Sequence, residues 1–446
     1  MNHISVIDSP VGSGKTSWAI NYINASNPEE KFFVITPLLS EVQRFKVSCP
    51  DRHFEDPKTG DSNKFTHLLN MVSQGKNIVS THALLQQTDD ELITLLRASE
   101  YTLILDESFQ VVSNFTLYKS SETKNEEEQL SLTLRDIDWL LKDDYIRVDE
   151  TYLVHWKNKG RVVGNKYSLL YNMIEKELLY MVRGKCFMWA FPHHLFVSGI
   201  FKKIFILTYL FKSQFQNYYF DYFNLPYDTY HIEKIYGEYS LVETVNNNHE
   251  LEFKKKAKEL ITIVEHSKLN SIGGYENSSI GRAKKTALSM NWYKKNPLVL
   301  RRLNSHLLNY FKHVTSSSPE DRLWTTFKDF KGKLKNGAAT EKTFLSFTAK
   351  ATNDYRNRSV LAFMINRYPS RFYVEFFAQK GITVNDDLYA LSDLIQWVWR
   401  SAIRDGKPIT LYLPSERMRD ILRRFLDNEE IESAQLDLSS PDYEED

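Results

Sequence analysis

Two short stretches hold the residues whose types and spacing suit phosphate chemistry. The first is "DSPVGSGKTS", residues 8–17, in which Gly12 and Gly14 precede Lys15 and Thr16. Glycines let a loop turn its N–H groups inward around an anion, and a lysine and a hydroxyl directly behind them add charge and a metal ligand. Val11, Gly12, Ser13, Gly14, Lys15, Thr16 and Ser17 are the expected ATP cradle, with Lys15 on the β- and γ-phosphates and Thr16 on Mg²⁺. The usual pattern is G-x-x-x-x-G-K-[ST], and Ser9 stands where its first glycine belongs. The second stretch is "YTLILDES", residues 101–108, an apolar run ending in Asp106 and Glu107. Asp106 is expected to hold Mg²⁺ through water, and Glu107 to orient and deprotonate the attacking water. An apolar run ending in two acids is by itself an ordinary strand end; with the glycine loop it becomes an ATPase signature.

Each stretch needs an element to position it. "HISVID" is apolar at Ile4, Val6 and Ile7 and is short enough for a buried strand, while "KTSWAINYIN" carries apolar residues at helical spacing. The arrangement is strand, loop, helix, with the positive end of the helix dipole facing the anion. Asp106 and Glu107 then emerge at the carboxyl end of a second buried strand, where parallel sheets place their ligands.

Composition sets the frame. A chain of 446 residues exceeds one ordinary core, so two or three domains are expected. Cys49 and Cys186 have no partners at metal-ligand spacing, which argues against a disulfide framework or zinc and for a reducing, cytoplasmic setting. The N-terminus lacks the pattern of a signal peptide. The most apolar region, "CFMWAFPHHLFVSGIFKKIFILTYLF", is interrupted by Pro192, His193, His194, Lys202 and Lys203, so no membrane span is expected. The two histidines read as structural. Lys+Arg and Asp+Glu counts are both 57, so total charge points to no polyanionic partner. From Gly281 to Lys335, however, basic residues outnumber acidic ones and aromatics are interleaved with them, while the stretch from Asp427 to Asp446 is acidic and expected to be disordered.

"SPVGSGKT" and "LILDES" resemble motifs I and II of the superfamily 2, DExD/H-type helicases, and the rest of that series occurs in order. "FFVITPLLSEVQRF" is similar to motif Ia and "NIVSTHALL" to the next strand and its turn, which places Thr36, Pro37, Thr81 and His82 on a nucleic-acid backbone by resemblance. "IFILTYLF" takes the place of motif III, with Thr208 linking hydrolysis to strand binding, and "ELITIVEHSK" that of motif IV. "KTFLSFTAKATNDYRNRSVLAFMINRYP" looks like motif V, with Thr348, Asn353 and Asp354 near the cleft. "LSDLIQWVWRSAIRDGKP" reads as a helix whose Gln396, Arg400 and Arg404 resemble motif VI; Trp399 replaces the family's glycine and the second arginine comes one residue late. The resemblance implies a γ-phosphate role for Arg400, at the in-register position, with Arg404 close behind and Gln396 beside them.

The expected fold is α/β: two RecA-like parallel-sheet domains in tandem, about 1–213 and 214–446, with helical insertions. The segment 111–188 is read as a mostly helical insertion with a mobile loop between Glu122 and Glu128. The second insertion, about 270–335, carries the basic, aromatic stretch, whose densest cluster is "NWYKKN". Its rings either stack the bases of a single strand, with Lys294 and Lys295 on phosphates, or are core. The implied partner is nucleic acid, single-stranded DNA ahead of RNA, with replication or repair proteins beside it and no membrane; oligomeric state is left open. The resemblance extends loosely to phage and mobile-element helicases. Two other readings remain. A terminase-type ATPase needs a nuclease carboxylate cluster, for which only Asp386 and Asp387 offer themselves, and a nucleotide-gated clamp needs little hydrolysis.

Overall fold

The computed structural model describes residues 4–59, 63–115, 117–119, 128–130, 132–157, 167–244, 248–274, 284–349 and 354–432. Most of the expected loop between Glu122 and Glu128, Asn353 and most of the acidic tail lie outside the described residues.

The apolar runs form the strands of two sheets. The first sheet contains β1 (Ile4–Asp8), β2 (Phe32–Thr36), β3 (Ile78–Thr81), β4 (Thr102–Asp106), β5 (Lys203–Thr208), β6 (Asp228–Ile235) and β7 (Glu238–Glu243), in the spatial order β7-β6-β1-β5-β4-β2-β3. All pairings are parallel except that of β6 with β7. The central strands are buried on both faces, which is why they read as continuous apolar runs. The second sheet, also parallel, has β8 (Ile261–Ile263), β9 (Arg322–Thr325), β10 (Val360–Phe363) and β11 (Ile409–Tyr412) in the order β8-β11-β10-β9. The expected fold class, α/β with two parallel sheets in tandem, is therefore present.

Helix α1 (Lys15–Ala25) follows β1 at once. It starts from Gly14 at φ 93°, a conformation that glycine adopts without penalty, and buries Trp18, Ala19, Ile20 and Ile23 against the first sheet. Its C-terminus is closed by a side chain from elsewhere. Arg52, buried, donates to the carbonyls of Ile23, Ser26, Asn27 and Pro28, placing a cation at the negative end of the helix.

The insertion after β4 differs from expectation. It is mixed rather than mostly helical: Leu179–Val182 and Cys186–Ala190 pair antiparallel with each other, and the second of them with Val112–Asn114. In "YSLLYNMIEKELLYMV" the helix stops at Glu175 and Glu177 turns through φ 57°, so the last apolar residues form a strand. A short apolar run carries no period to separate the two outcomes.

The first sheet also continues past the expected boundary at 213, through α2 (Phe215–Tyr222) and the β6–β7 hairpin. The chain then crosses to the second sheet, and later returns. Helix α3 (Arg371–Ala378), which follows β10, buries Phe376 and Phe377 in the core of the first lobe, where Phe376 stacks on Tyr222 at 4.5 Å. Burial of each ring contributes about 2 to 3 kcal/mol. The chain then re-enters the second lobe through α4 (Asp386–Val398), β11 and α5 (Glu416–Leu426).

Candidate functional site

The phosphate loop joins β1 to α1. Gly12 and Gly14 both have positive φ, 86° and 93°, and the Ser13 N–H closes a turn onto the Pro10 carbonyl at 3.2 Å. The Ser13 hydroxyl is buried and makes no hydrogen bond among the described residues. Lys15 Nζ donates to the carbonyls of Ser9 at 2.5 Å and Pro10 at 3.0 Å. Enclosure of this ammonium lowers its pKa to about 8, with Asp8, Glu107 and Asp106 pulling the other way. Ser9, in place of the pattern's glycine, ties the loop to the sheet, because its fully buried hydroxyl accepts the Ile232 N–H of β6 at 2.7 Å. A glycine there would leave that donor without a partner.

Strand β4 is separated from β1 by β5 alone, which brings Asp106 to the loop. Thr16 Oγ1 donates to Asp106 Oδ1 at 3.2 Å. Burial raises the Asp106 pKa to about 7, with Glu107 and Glu41 adding to the rise and Thr16 and Lys15 opposing it. A hydroxyl and a carboxylate in a region of excess negative potential suit a hard divalent cation, so Thr16 and Asp106 fit the expected Mg²⁺. Glu107 is held at φ 69°, strained for a residue with a side chain, and its N–H donates to the Leu207 carbonyl at 2.9 Å.

The turn after β5 is tied to β1. The Asp8 carboxylate accepts the N–H groups of Leu210 and Phe211 at 2.8 and 2.9 Å, while burial lifts its pKa to about 6. Gln214 donates to Thr208 Oγ1 and to the Tyr209 carbonyl, closing the turn.

The opposite wall comes from the second lobe. Gln396 lies in α4 and donates to Ser392 Oγ at 3.3 Å. Both arginines lie beyond the end of that helix, contrary to the expectation of one continuous helix: α4 stops at Val398, and Arg404 sits in a 3₁₀ turn, Ala402–Asp405. The tight turn absorbs the extra residue of the motif, so Arg400 and Arg404 both line the cavity. Arg400 is 8% exposed and Arg404 half-buried, and among the described residues neither guanidinium makes a hydrogen bond. Burial lowers the pKa of both; Glu107 offsets this at Arg400, while Arg400 and Arg356 add to it at Arg404. Trp399, in the glycine position, packs on Phe253 at 4.8 Å, and Phe253 on Tyr209 of the first lobe at 5.7 Å.

These walls enclose one cavity of about 690 Å³. Val11, Gly12, Gly14, Lys15, Thr16 and Ser17 line it from one side and Gln396, Arg400 and Arg404 from the other, with Asp106 and Glu107 between them. The arrangement can bind a polyphosphate and supply positive charge to both of its sides.

The residues expected on nucleic acid are scattered. Pro37 and Thr348 border the cavity. Thr36 is fully buried, with its hydroxyl on the Leu38 carbonyl, and His82 is buried near Phe109; neither reaches the surface, and Thr81 is half-buried at the edge of the sheet. Of the aromatics expected to stack bases within 281–335, most face inward among the described residues, and Trp292 is half-buried, packed on Tyr293 at 5.6 Å. Tyr293, Tyr310, Phe311, Trp324, Phe327 and Phe330 are buried in the second core, the Tyr293 hydroxyl donating to the Met364 carbonyl and Trp324 Nε1 to that of Thr340. Lys294 and Lys295 are exposed but do not border the cavity. Asp386 and Asp387 offer no nuclease cluster: both are buried and paired with Arg417. No motif in the sequence assigns a role to Asp8 or Tyr239, the latter a ring on β7 that lines the cavity. Asp8 is signalled only by its position directly before the loop, and Tyr239 by nothing local.

Comparison with known proteins gives two kinds of likeness. Over the whole length the overall course is similar to the solved structures "XPD_APO" (TM-score 0.44, 10% identity, 94% of this chain and 95% of that one) and "Structure of S. tokodaii Xpd4" (TM-score 0.42, 12% identity, 95% and 93%). Scores of this size support no transfer of activity. In sequence, residues 255–426 match the family described as the YonV C-terminal Rossmann-like domain. The "SPbeta prophage-derived uncharacterized protein YonV" of Bacillus subtilis (strain 168) is 34% identical over 442 residues, spanning 96% of this chain and 100% of that protein. With identity sustained from end to end, the chain belongs to the YonV family.

Proposed function

We propose that the chain hydrolyses ATP in the cavity between its lobes and couples that cycle to movement along a strand of nucleic acid, as a superfamily 2-type motor of a phage or mobile element. One observation carries the reading: Arg400 and Arg404, two cations with no hydrogen-bonded partner among the described residues, line the same cavity as Lys15 and the Thr16–Asp106 pair. A buried and a half-buried cation without acceptors suit an anion, and a triphosphate supplies charge along its length. In this reading Lys15 leaves the Ser9 and Pro10 carbonyls for the phosphates, Glu107 orients the attacking water, and Arg400 meets the charge that develops on the γ-phosphate. Thr16 and Asp106 would hold Mg²⁺, which would neutralise part of the phosphate charge. The phage setting rests on the relative's prophage origin.

A nucleotide-gated clamp that grips nucleic acid with little turnover is the second reading. It is favoured by α3, whose anchorage in the first core restrains separation of the lobes. ATP turnover of the full chain, with and without single-stranded DNA or RNA and beside Lys15→Ala, separates the two. Stimulated, Lys15-dependent turnover supports the motor, and ATP-dependent strand binding without turnover supports the clamp. A protein that shows no turnover and no ATP binding sinks both readings.

A further inference from the structure

We propose that Tyr239 is the platform for the base of the bound nucleoside triphosphate, an inference that rests on the nucleotide reading above. The order of strands in the first sheet sets the direction of a bound triphosphate. Asp106 and Glu107 come from β4, two strands to one side of β1, and Tyr239 comes from β7, two strands to the other. A triphosphate lying over the loop after β1 with its γ end towards Glu107 and Arg400 therefore directs its opposite end, which carries ribose and base, towards β7.

The hairpin is built to meet it. Ile7 is level with Tyr230, so the residues of β6 after Ile232 run past the carboxyl end of β1 and over the phosphate loop. Positive φ at Tyr236 and Gly237, 50° and 91°, reverses the chain and sets Tyr239 opposite Lys234. The Tyr239 ring then rests on the loop itself: a Cβ added to Gly14 would lie 2.2 Å from its Cε1.

Tyr239 also differs from the other aromatic residues of the cavity wall. Those pack on further rings, as Tyr209 does on Phe253 and Phe347 on Phe327. Tyr239 is half-exposed and has no ring partner among the described residues; its one close cation is Lys234, 5.7 Å from the centroid. An unstacked ring beside a phosphate cradle offers an uncharged π-face, which suits a planar heterocycle and contributes nothing to holding phosphate. Stacking reads no hydrogen-bond pattern, so the site takes nucleoside triphosphates as a class, with a modest preference for purines from their larger faces.

The test compares ATP with inorganic tripolyphosphate, which has the charge but no base, on the full-length chain with Mg²⁺. Tyr239→Ala should raise the Kd for ATP about tenfold, the scale of one lost base–aromatic stack, and leave that for tripolyphosphate unchanged. Tyr239→Phe should bind both as the wild type does. Equal loss for the two ligands would mean that the ring only shapes the loop, and an unchanged ATP Kd in Tyr239→Ala would mean that it touches no base; either overturns the proposal. Loss of single-stranded DNA affinity alone would assign the ring to nucleic acid and overturn it too. Lys15→Ala keeps the two levels apart: wild-type ATP binding that requires Lys15 but ignores Tyr239 sinks only this inference, and a wild type that binds neither ligand sinks the nucleotide reading with it.

Discussion

Replacing Arg400 with methionine should make the nucleotide-free protein more stable and the enzyme nearly inactive. The guanidinium is 8% exposed and makes no hydrogen bond among the described residues, with Glu107 as its one stabilising charge. Breaking one partner from a buried ion pair destabilises because it strands the other charge; here the charge is already stranded, so its removal reverses that effect. Methionine keeps most of the aliphatic stem and brings no charge to desolvate. The cavity admits water on one side, which reduces the gain to about 1 kcal/mol, or a rise of about 2–4 °C in the melting of a lobe of this size. Calorimetry without nucleotide measures it. Hydrolysis should fall about 1000-fold, the lower end of what a transition-state arginine supplies. Arg404→Met, at a half-buried site, should show the same signs at smaller magnitude. A variant that melts several degrees lower without nucleotide, or turns over ATP near the wild-type rate, would refute the reasoning.

Ser9→Ala should cost about 1 to 2 kcal/mol in denaturant titration by leaving the buried Ile232 N–H without an acceptor, with nucleotide affinity little changed. Asp8 gives a pH dependence. Its folded-state pKa of about 6 lies above the ordinary 3.8, so the folded state binds the extra proton between those values and stability falls as pH rises through that window. The size is at most about 3 kcal/mol, and Asp8→Asn should flatten that part of the nucleotide-free stability profile between about pH 4 and 6. Arg52→Met should destabilise by about 3 kcal/mol or more, since the carbonyls at the end of α1 lose their shared donor; urea unfolding followed at the first lobe would read it. An Arg52→Met protein as stable as the wild type would place the cap's value at nil.

The parts legible in the sequence are those whose chemistry is local. A glycine loop with a lysine sits between a strand and a helix, and an apolar run ending in Asp106 presents it at the carboxyl end of a buried strand; both are properties of consecutive residues. Arg400 and Arg404 are visible as residue types, but their geometry depends on where α4 stops, and helix ends are set by packing as much as by propensity. The aromatics of 281–335 mislead because a ring at helical spacing reads alike whether it faces a base or a core. Tyr239 and α3 are beyond reach for another reason. Their positions follow from the order of strands and from a return across the cleft, relations between segments far apart in the chain.

The return of α3 has a consequence for biogenesis. The first lobe begins within the first ten residues, yet its interior lacks Phe376, Phe377 and Val384 until the ribosome has delivered them. During most of synthesis the slot for α3 is open and apolar, so the lobes mature together rather than one after the other. A fragment cut between β7 and β8 would therefore give two halves with an unfilled groove and an orphan helix, and co-expression of both halves, not either alone, is the route to a soluble split form.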